Sequence, residues 1–152
     1  MSHSHEEIEA IRTIVASVAH HIDGKRWADL RALYAATVAI DYTSLFGGTP
    51  QKQSGDDLIA GWRGVLQNVA TQHLLGPIDA KISGSTAKAS CHVRAMHQAP
   101  AAPGGELWEV LGHYLFDLTR GASGWKIVRM KLETLLQTGN RNLLAEASAS
   151  AK

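Results

Sequence analysis

The periodicity of the chain changes along its length, and that change restricts the folds open to it. Up to about residue 68, apart from one strand-like stretch at 37–43, apolar residues recur every three or four positions; beyond it, long stretches alternate apolar with polar. The first pattern is the stripe of an amphipathic helix and the second is one face of a half-buried strand. Helices followed by several long strands joined by short turns predict an α+β fold rather than alternating α/β units. The expected form is a cone, a strongly curved mixed or antiparallel sheet packed around N-terminal helices.

From Ser4 to Asp23 the residues Ile8, Ile11, Val15, Val18 and Ile22 draw one apolar stripe, and Gly24 is a natural helix stop. Trp27, Leu30, Leu33 and Tyr34 suggest a short second helix, and Thr37 to Thr43 a strand. Ser54 with Asp57 three residues later resembles a capping box ahead of a third helix, whose apolar face is Leu58, Ile59, Trp62 and Leu66. Strand-like composition occupies 70–76, 78–83, 86–98, 106–119 and 125–134, with turns at Ser83-Gly84-Ser85 and Gly121-Ala122-Ser123-Gly124. The loop 99–105, rich in Pro and Gly, is expected to be a mobile connection, and the Ala/Ser-rich tail from Ala145 is expected to fray. One domain over residues 1–152 is expected, with its core at about 4–136.

The 45% apolar and 19% charged content, with a formal charge of +1, gives no broad field for nucleic acid or anionic lipid. No apolar stretch approaches the ~20 residues of a membrane helix. The N-terminus lacks the basic-then-apolar order of a secretory leader, and the single cysteine, Cys91, excludes an intramolecular disulfide. A cytoplasmic protein with no nucleic-acid or membrane partner is expected.

Against this background, ionisable residues fall on faces that otherwise read as core. In 86–98, His97 shares its face with Ala87, Ala89, Cys91, Val93 and Ala95, whereas His92 lies with Lys88, Ser90, Arg94 and Gln98. In 106–118, Tyr114 lies with Trp108, Val110, Gly112, Phe116 and Leu118, and His113 lies opposite with Glu109 and Asp117. Tyr42 follows Val38 and Ile40, leaving Asp41 on the other face. In Thr71-Gln72-His73-Leu74-Leu75 alternation does not choose a side for His73. Asp23 stands in the last turn of the first helix, where a carboxylate faces the negative end of the helix dipole at a cost of up to about 1 kcal/mol, and so calls for a compensating partner. Singly, each has a plain structural explanation: a hydrogen-bonded core His, a helix-ending turn, a packed Tyr ring. Together, because burying an unpaired carboxylate or imidazole costs several kcal/mol, they point to a cavity in which a small molecule meets them.

The segments Asp23-Gly24-Lys25-Arg26-Trp27-Ala28-Asp29-Leu30-Arg31, Ile40-Asp41-Tyr42-Thr43-Ser44-Leu45, Thr71-Gln72-His73-Leu74-Leu75-Gly76 and His97-Gln98 resemble the scytalone dehydratases. More broadly, from the first helix to about residue 133, the chain resembles the nuclear transport factor 2-like superfamily with its SnoaL-like cyclases. The resemblance implies a cofactor-independent, dehydratase-like lyase acting on a small cyclic or aromatic ketone, with no metal. It places the catalytic Asp–His pair on Asp23 and His73, a second active-site His on His97 and a water-holding Tyr on Tyr42. The companion tyrosine falls on Ile22 and a pocket Asn on Tyr114, so the pocket departs from the family pattern. It further implies that His73 takes a proton alpha to a carbonyl while Asp23 orients the ring. Tyr42 would polarise the carbonyl, and His97 would assist departure of a beta-hydroxyl or position the substrate. The candidate substrate-binding residues are Ile22, Val38, Ile40, Trp108, Val110, Tyr114 and Phe116.

Rival expectations keep the residues and change the outcome. The same His–Asp base would serve an isomerase, a cyclase or a dehydrohalogenase. Two His and a carboxylate would also suit a metal facial triad, and the fold equally serves non-catalytic ligand binding. Leu107, Leu111 and Leu115 make the outer sheet face apolar enough to suggest a homodimer or homotrimer. Whether Arg129 turns into the pocket is left open by the pattern.

Overall fold

The computed structural model describes residues 4–149. Helix α1 (His5–Asp23) begins at Ser4, whose side chain accepts from the Glu7 N–H, and buries Ile11, Val15, Val18, Ala19 and Ile22. Its end differs from the expectation for Gly24, because Gly24 keeps right-handed geometry and Lys25 takes the left-handed turn at φ 53°. Lys25 is held there by its own reach: Nζ donates to the Leu66 and Gln67 carbonyls at 2.7 and 3.0 Å, capping the C-terminal end of another helix.

That helix is α4 (Gly55–Leu66), started by Ser54 accepting from the Asp57 N–H. Between them lie α2 (Trp27–Ala32), β1 (Tyr34–Asp41), α3 (Thr43–Phe46) and β2 (Gln51–Ser54). The sequence reading runs the strand on to Thr43, but the strand stops at Asp41. Its carboxylate accepts from both the N–H and the hydroxyl of Thr43, at 3.0 and 2.7 Å, and this turn diverts Tyr42 out of the strand.

Strands β3 (Ala70–Leu75), β4 (Asp79–Ser83), β5 (Thr86–Gln98), β6 (Leu107–Gly121) and β7 (Gly124–Gly139) complete a seven-stranded mixed sheet in the order β2-β1-β7-β6-β5-β3, with β4 also pairing β5. All neighbours are antiparallel except β1 with β7. The β6–β7 register slips between Leu111 and Gly112 and again between Asp117 and Leu118, leaving Leu135 and Val128 as extra residues on β7. Such bulges bend a sheet, and here they let it curl around α1 and α4. Gly112 is needed at the first of them, because a Cβ there would meet the Glu133 carbonyl oxygen at 2.1 Å.

Two expectations, one for the C-terminal tail and one for the loop between β5 and β6, are corrected. Residues 143–149 form α5 (Leu143–Ala149), with Leu143 and Ala147 buried, so the chain does not fray from Ala145; the rest of the expected frayed tail, 150–152, lies outside the described residues. The loop 99–105 is tied down rather than free. Ala99 and Ala102 are buried, the Gly104 N–H donates to Glu146 of α5, and Asn140 donates to the Gly105 carbonyl.

Candidate active site

β3 is an edge strand, bonded to β5 on one side only. Its other edge therefore presents backbone N–H groups that need acceptors. The C-terminal turn of α1 supplies one. Asp23 Oδ2 accepts from the His73 backbone N–H at 2.8 Å, and Oδ1 accepts from the Thr71 hydroxyl at 2.9 Å and meets His73 Nδ1 at 2.6 Å. The compensating partner that the helix-end position demands is thus three groups of one strand. Burial pushes the Asp23 carboxyl up, but these hydrogen bonds and the nearby imidazole outweigh it and hold the group below the usual carboxylate value.

An ionised carboxylate only accepts, so His73 Nδ1 carries the proton and Nε2 is left with its lone pair. The His73 side chain is 7% exposed and lines a cavity of about 540 Å³; Asp23 stands behind it, outside the lining. β3 alternates after all, with Thr71, His73 and Leu75 half-buried and Gln72 and Leu74 exposed.

His97 lies beside His73 on the neighbouring strand β5, its ring 6.0 Å from that of His73 and stacked at 4.5 Å on Trp108. Its Nδ1 is 3.2 Å from the Trp108 carbonyl, which only accepts, so Nδ1 is the donor and Nε2 is an acceptor. Burial pushes this imidazole down to about 4, with His73 acting the same way and the Trp108 carbonyl and Asp23 opposing. At neutral pH His97 is uncharged.

That protonation behaviour bears on stability. Above the ordinary histidine value of about 6.5 both folded and unfolded forms are neutral at this site; as the pH falls the unfolded form takes up the proton first. Stability is therefore expected to fall between about pH 6.5 and about pH 4 by roughly 3 kcal/mol from this residue, and no further below. Asp23 adds loss in the same direction, because its folded-state value lies below the ordinary 3.8, but that loss begins only as the pH falls to about the ordinary value. Urea midpoints at pH 7 and pH 4.5 test this: His97→Gln, which keeps a donor for Trp108, should show a smaller drop than the parent chain.

Tyr42, half-buried at the start of α3, lines the cavity with its ring 6.3 Å from Phe46. Burial raises its hydroxyl pKa, with the Trp62 indole pulling slightly the other way, so it remains a protonated donor. Ile22, Ile40, Trp108, Val110 and Tyr114 also line the cavity. Val38 and Phe116 do not: they are fully buried in the core beneath it, which corrects their assignment as substrate-binding residues. Alternation gives the face of the cone but not the depth along it. His92 and His113 lie exposed on the outer face, rings 4.4 Å apart, and Arg129 reaches Asp117 at 3.5 Å rather than the pocket. The sequence reading missed other apolar residues of the lining, Leu45, Phe46, Trp62, Val65, Leu132 and Leu144. Of these only Trp62 carried a signal, as part of the apolar face of α4. Among the described residues, no three His, Cys, Asp or Glu side chains converge as a metal-ligand set, and no helix is long and apolar enough to cross a membrane.

A helix-filled, curled mixed sheet enclosing a cavity defines the nuclear transport factor 2-like class of fold. Within it, the chain belongs to the SnoaL-like domain family, whose profile matches residues 3–131. Among solved structures, a protein of Kribbella flavida is 29% identical with a TM-score of 0.85, the match covering 93% of this chain and 99% of that one. A candidate aromatic ring hydroxylase of Novosphingobium aromaticivorans is 23% identical (TM-score 0.79, covering 96% and 99%). A candidate scytalone dehydratase of the same organism is 22% identical (TM-score 0.74, covering 88% and 87%). No curated protein sequence matches the chain.

Proposed function

We propose that the protein is a cofactor-independent lyase that removes a proton alpha to the carbonyl of a small cyclic or aromatic ketone and eliminates water. The observation that carries this reading is the 2.6 Å contact between Asp23 Oδ1 and His73 Nδ1. A carboxylate that fixes a histidine tautomer and stabilises its protonated form is what a general base needs, and simple ligand binding does not. His73 Nε2 takes the alpha proton, and the electron pair moves to the carbonyl oxygen. Tyr42 donates to the resulting enolate; a preorganised donor in an enclosed site contributes about 3–4 kcal/mol. The enolate then re-forms the carbonyl and expels the beta-hydroxyl, which takes the proton back from His73 and leaves as water. His97 has no proton to give this hydroxyl at neutral pH, so its role is to accept from it and position it, rather than to act as an acid.

The 540 Å³ cavity suits a bicyclic ketone. Two probes test the reading. In D2O the protein should catalyse exchange at C2 of 1-tetralone, followed by NMR. It should also convert 3-hydroxy-1-tetralone to fluorescent 1-naphthol faster than buffer does. Absence of both activities would overturn the assignment.

A further inference from the structure

Tyr114 lies on β6 between Cys91 of β5 and Leu132 of β7, on the inner face of the cone. It is 6% exposed, and its ring is held edge-on to Phe116 at 5.8 Å. Among the described residues its hydroxyl makes no hydrogen bond. The other deeply buried tyrosine differs: the Tyr34 hydroxyl donates to Met130 Sδ at 3.4 Å. No fully occluded side-chain polar atom in the described residues lacks a partner, so the Tyr114 oxygen must open onto the cavity its residue lines. A rigid, deeply set hydroxyl with no protein partner is suited to bonding whatever fills that cavity.

We infer that Tyr114 is a second substrate-contacting donor, which together with Tyr42 holds the carbonyl oxygen of the substrate as it becomes an enolate. The inference rests on the proposed ketone chemistry. Burial, and then Tyr42, push the Tyr114 hydroxyl well above the usual phenol value, so it offers a proton at any working pH. Tyr42 and Tyr114 line the same cavity. Two neutral donors opening onto one cavity complement an oxygen that gains negative charge during the reaction. His97 supplies the opposite chemistry, an acceptor, so the cavity carries donors for the carbonyl and an acceptor for the hydroxyl.

Tyr114→Phe separates this role from a structural one. It removes no protein hydrogen bond, so the melting temperature should be unchanged or raised, while kcat/KM for 3-hydroxy-1-tetralone should fall about 10²-fold. A binding arm needs no turnover: 2-naphthol, a stand-in for the enol, and naphthalene are titrated against His73→Ala with and without Tyr114→Phe. The phenylalanine should weaken 2-naphthol about tenfold and leave naphthalene unchanged. Equal 2-naphthol affinity with and without the Tyr114 hydroxyl would overturn the inference, even if the parent chain is a dehydratase. Loss of 2-naphthol binding in a chain that turns over neither ketone would uphold the donor role and overturn only the reaction proposed above.

Discussion

His73→Ala is expected to slow both alpha-proton exchange of 1-tetralone and water loss from 3-hydroxy-1-tetralone by about 10²–10⁴-fold, the range that a positioned general acid–base group supplies. The upper part of that range is the better expectation, since the same ring both takes the alpha proton and returns it to the departing hydroxyl. Among the described residues no neighbour replaces it. Asp23 is behind the ring with both oxygens engaged, and His97, though its Nε2 is free, has its basicity pushed down to about 4. A base that weak abstracts a carbon-bound proton poorly. The fold should survive, because Asp23 keeps the His73 backbone N–H and the Thr71 hydroxyl; losing one charge-assisted hydrogen bond costs about 1.5–3 kcal/mol. His92→Ala, on the outer face, is the control and should turn over normally. Retention of full activity by His73→Ala would remove the base from the scheme.

The parts of the site that the sequence shows are those carried by local periodicity. Alternation separates His97, 8% exposed, from the exposed His92, because β5 is a long strand with one face packed along its whole length. It fails for His73 because β3 is a short edge strand with leucines on both faces, and Leu74 remains 54% exposed. Only the long-range contact with Asp23 makes the inward face legible. Tyr42 lies in the cavity for a different reason from the one the pattern suggests: the Asp41–Thr43 turn swings it out of the strand. Val38 and Phe116 share a face with true lining residues and yet are core, since periodicity carries no information on how deep α1 and α4 fill the cone. The closing helix α5 had no strong stripe to announce it. Its place is set in part by a contact remote in sequence, that of Glu146 with the Gly104 N–H. The parallel pairing of β1 with β7 is equally non-local, joining residues about ninety apart, and no turn motif predicts it.

Asp23→Asn is expected to reduce the same two rates by about 10²–10⁴-fold while leaving nearly the same shape, and the reason lies in the tautomer. The carboxylate accepts three hydrogen bonds: from the Thr71 hydroxyl, the His73 backbone N–H and the His73 ring. An amide has one accepting oxygen and one donating NH2. The backbone N–H cannot reverse its role, so the amide oxygen must face it, and the NH2 is then directed at Thr71 and His73 Nδ1. The Thr71 hydroxyl can rotate and accept; the imidazole can adapt only by giving up its Nδ1 proton and carrying one on Nε2 instead. Nε2 is the atom that must receive the alpha proton, so the base is blocked although every heavy atom remains near its place. The counter-charge for the imidazolium is lost as well. Because Asp23 acts through His73, the double variant Asp23→Asn/His73→Ala should be no slower than His73→Ala alone, whereas independent contributions would multiply. Exchange rates for the two single variants and the double variant decide the matter, and multiplicative losses would show that the carboxylate acts on the substrate by some route other than the ring it holds.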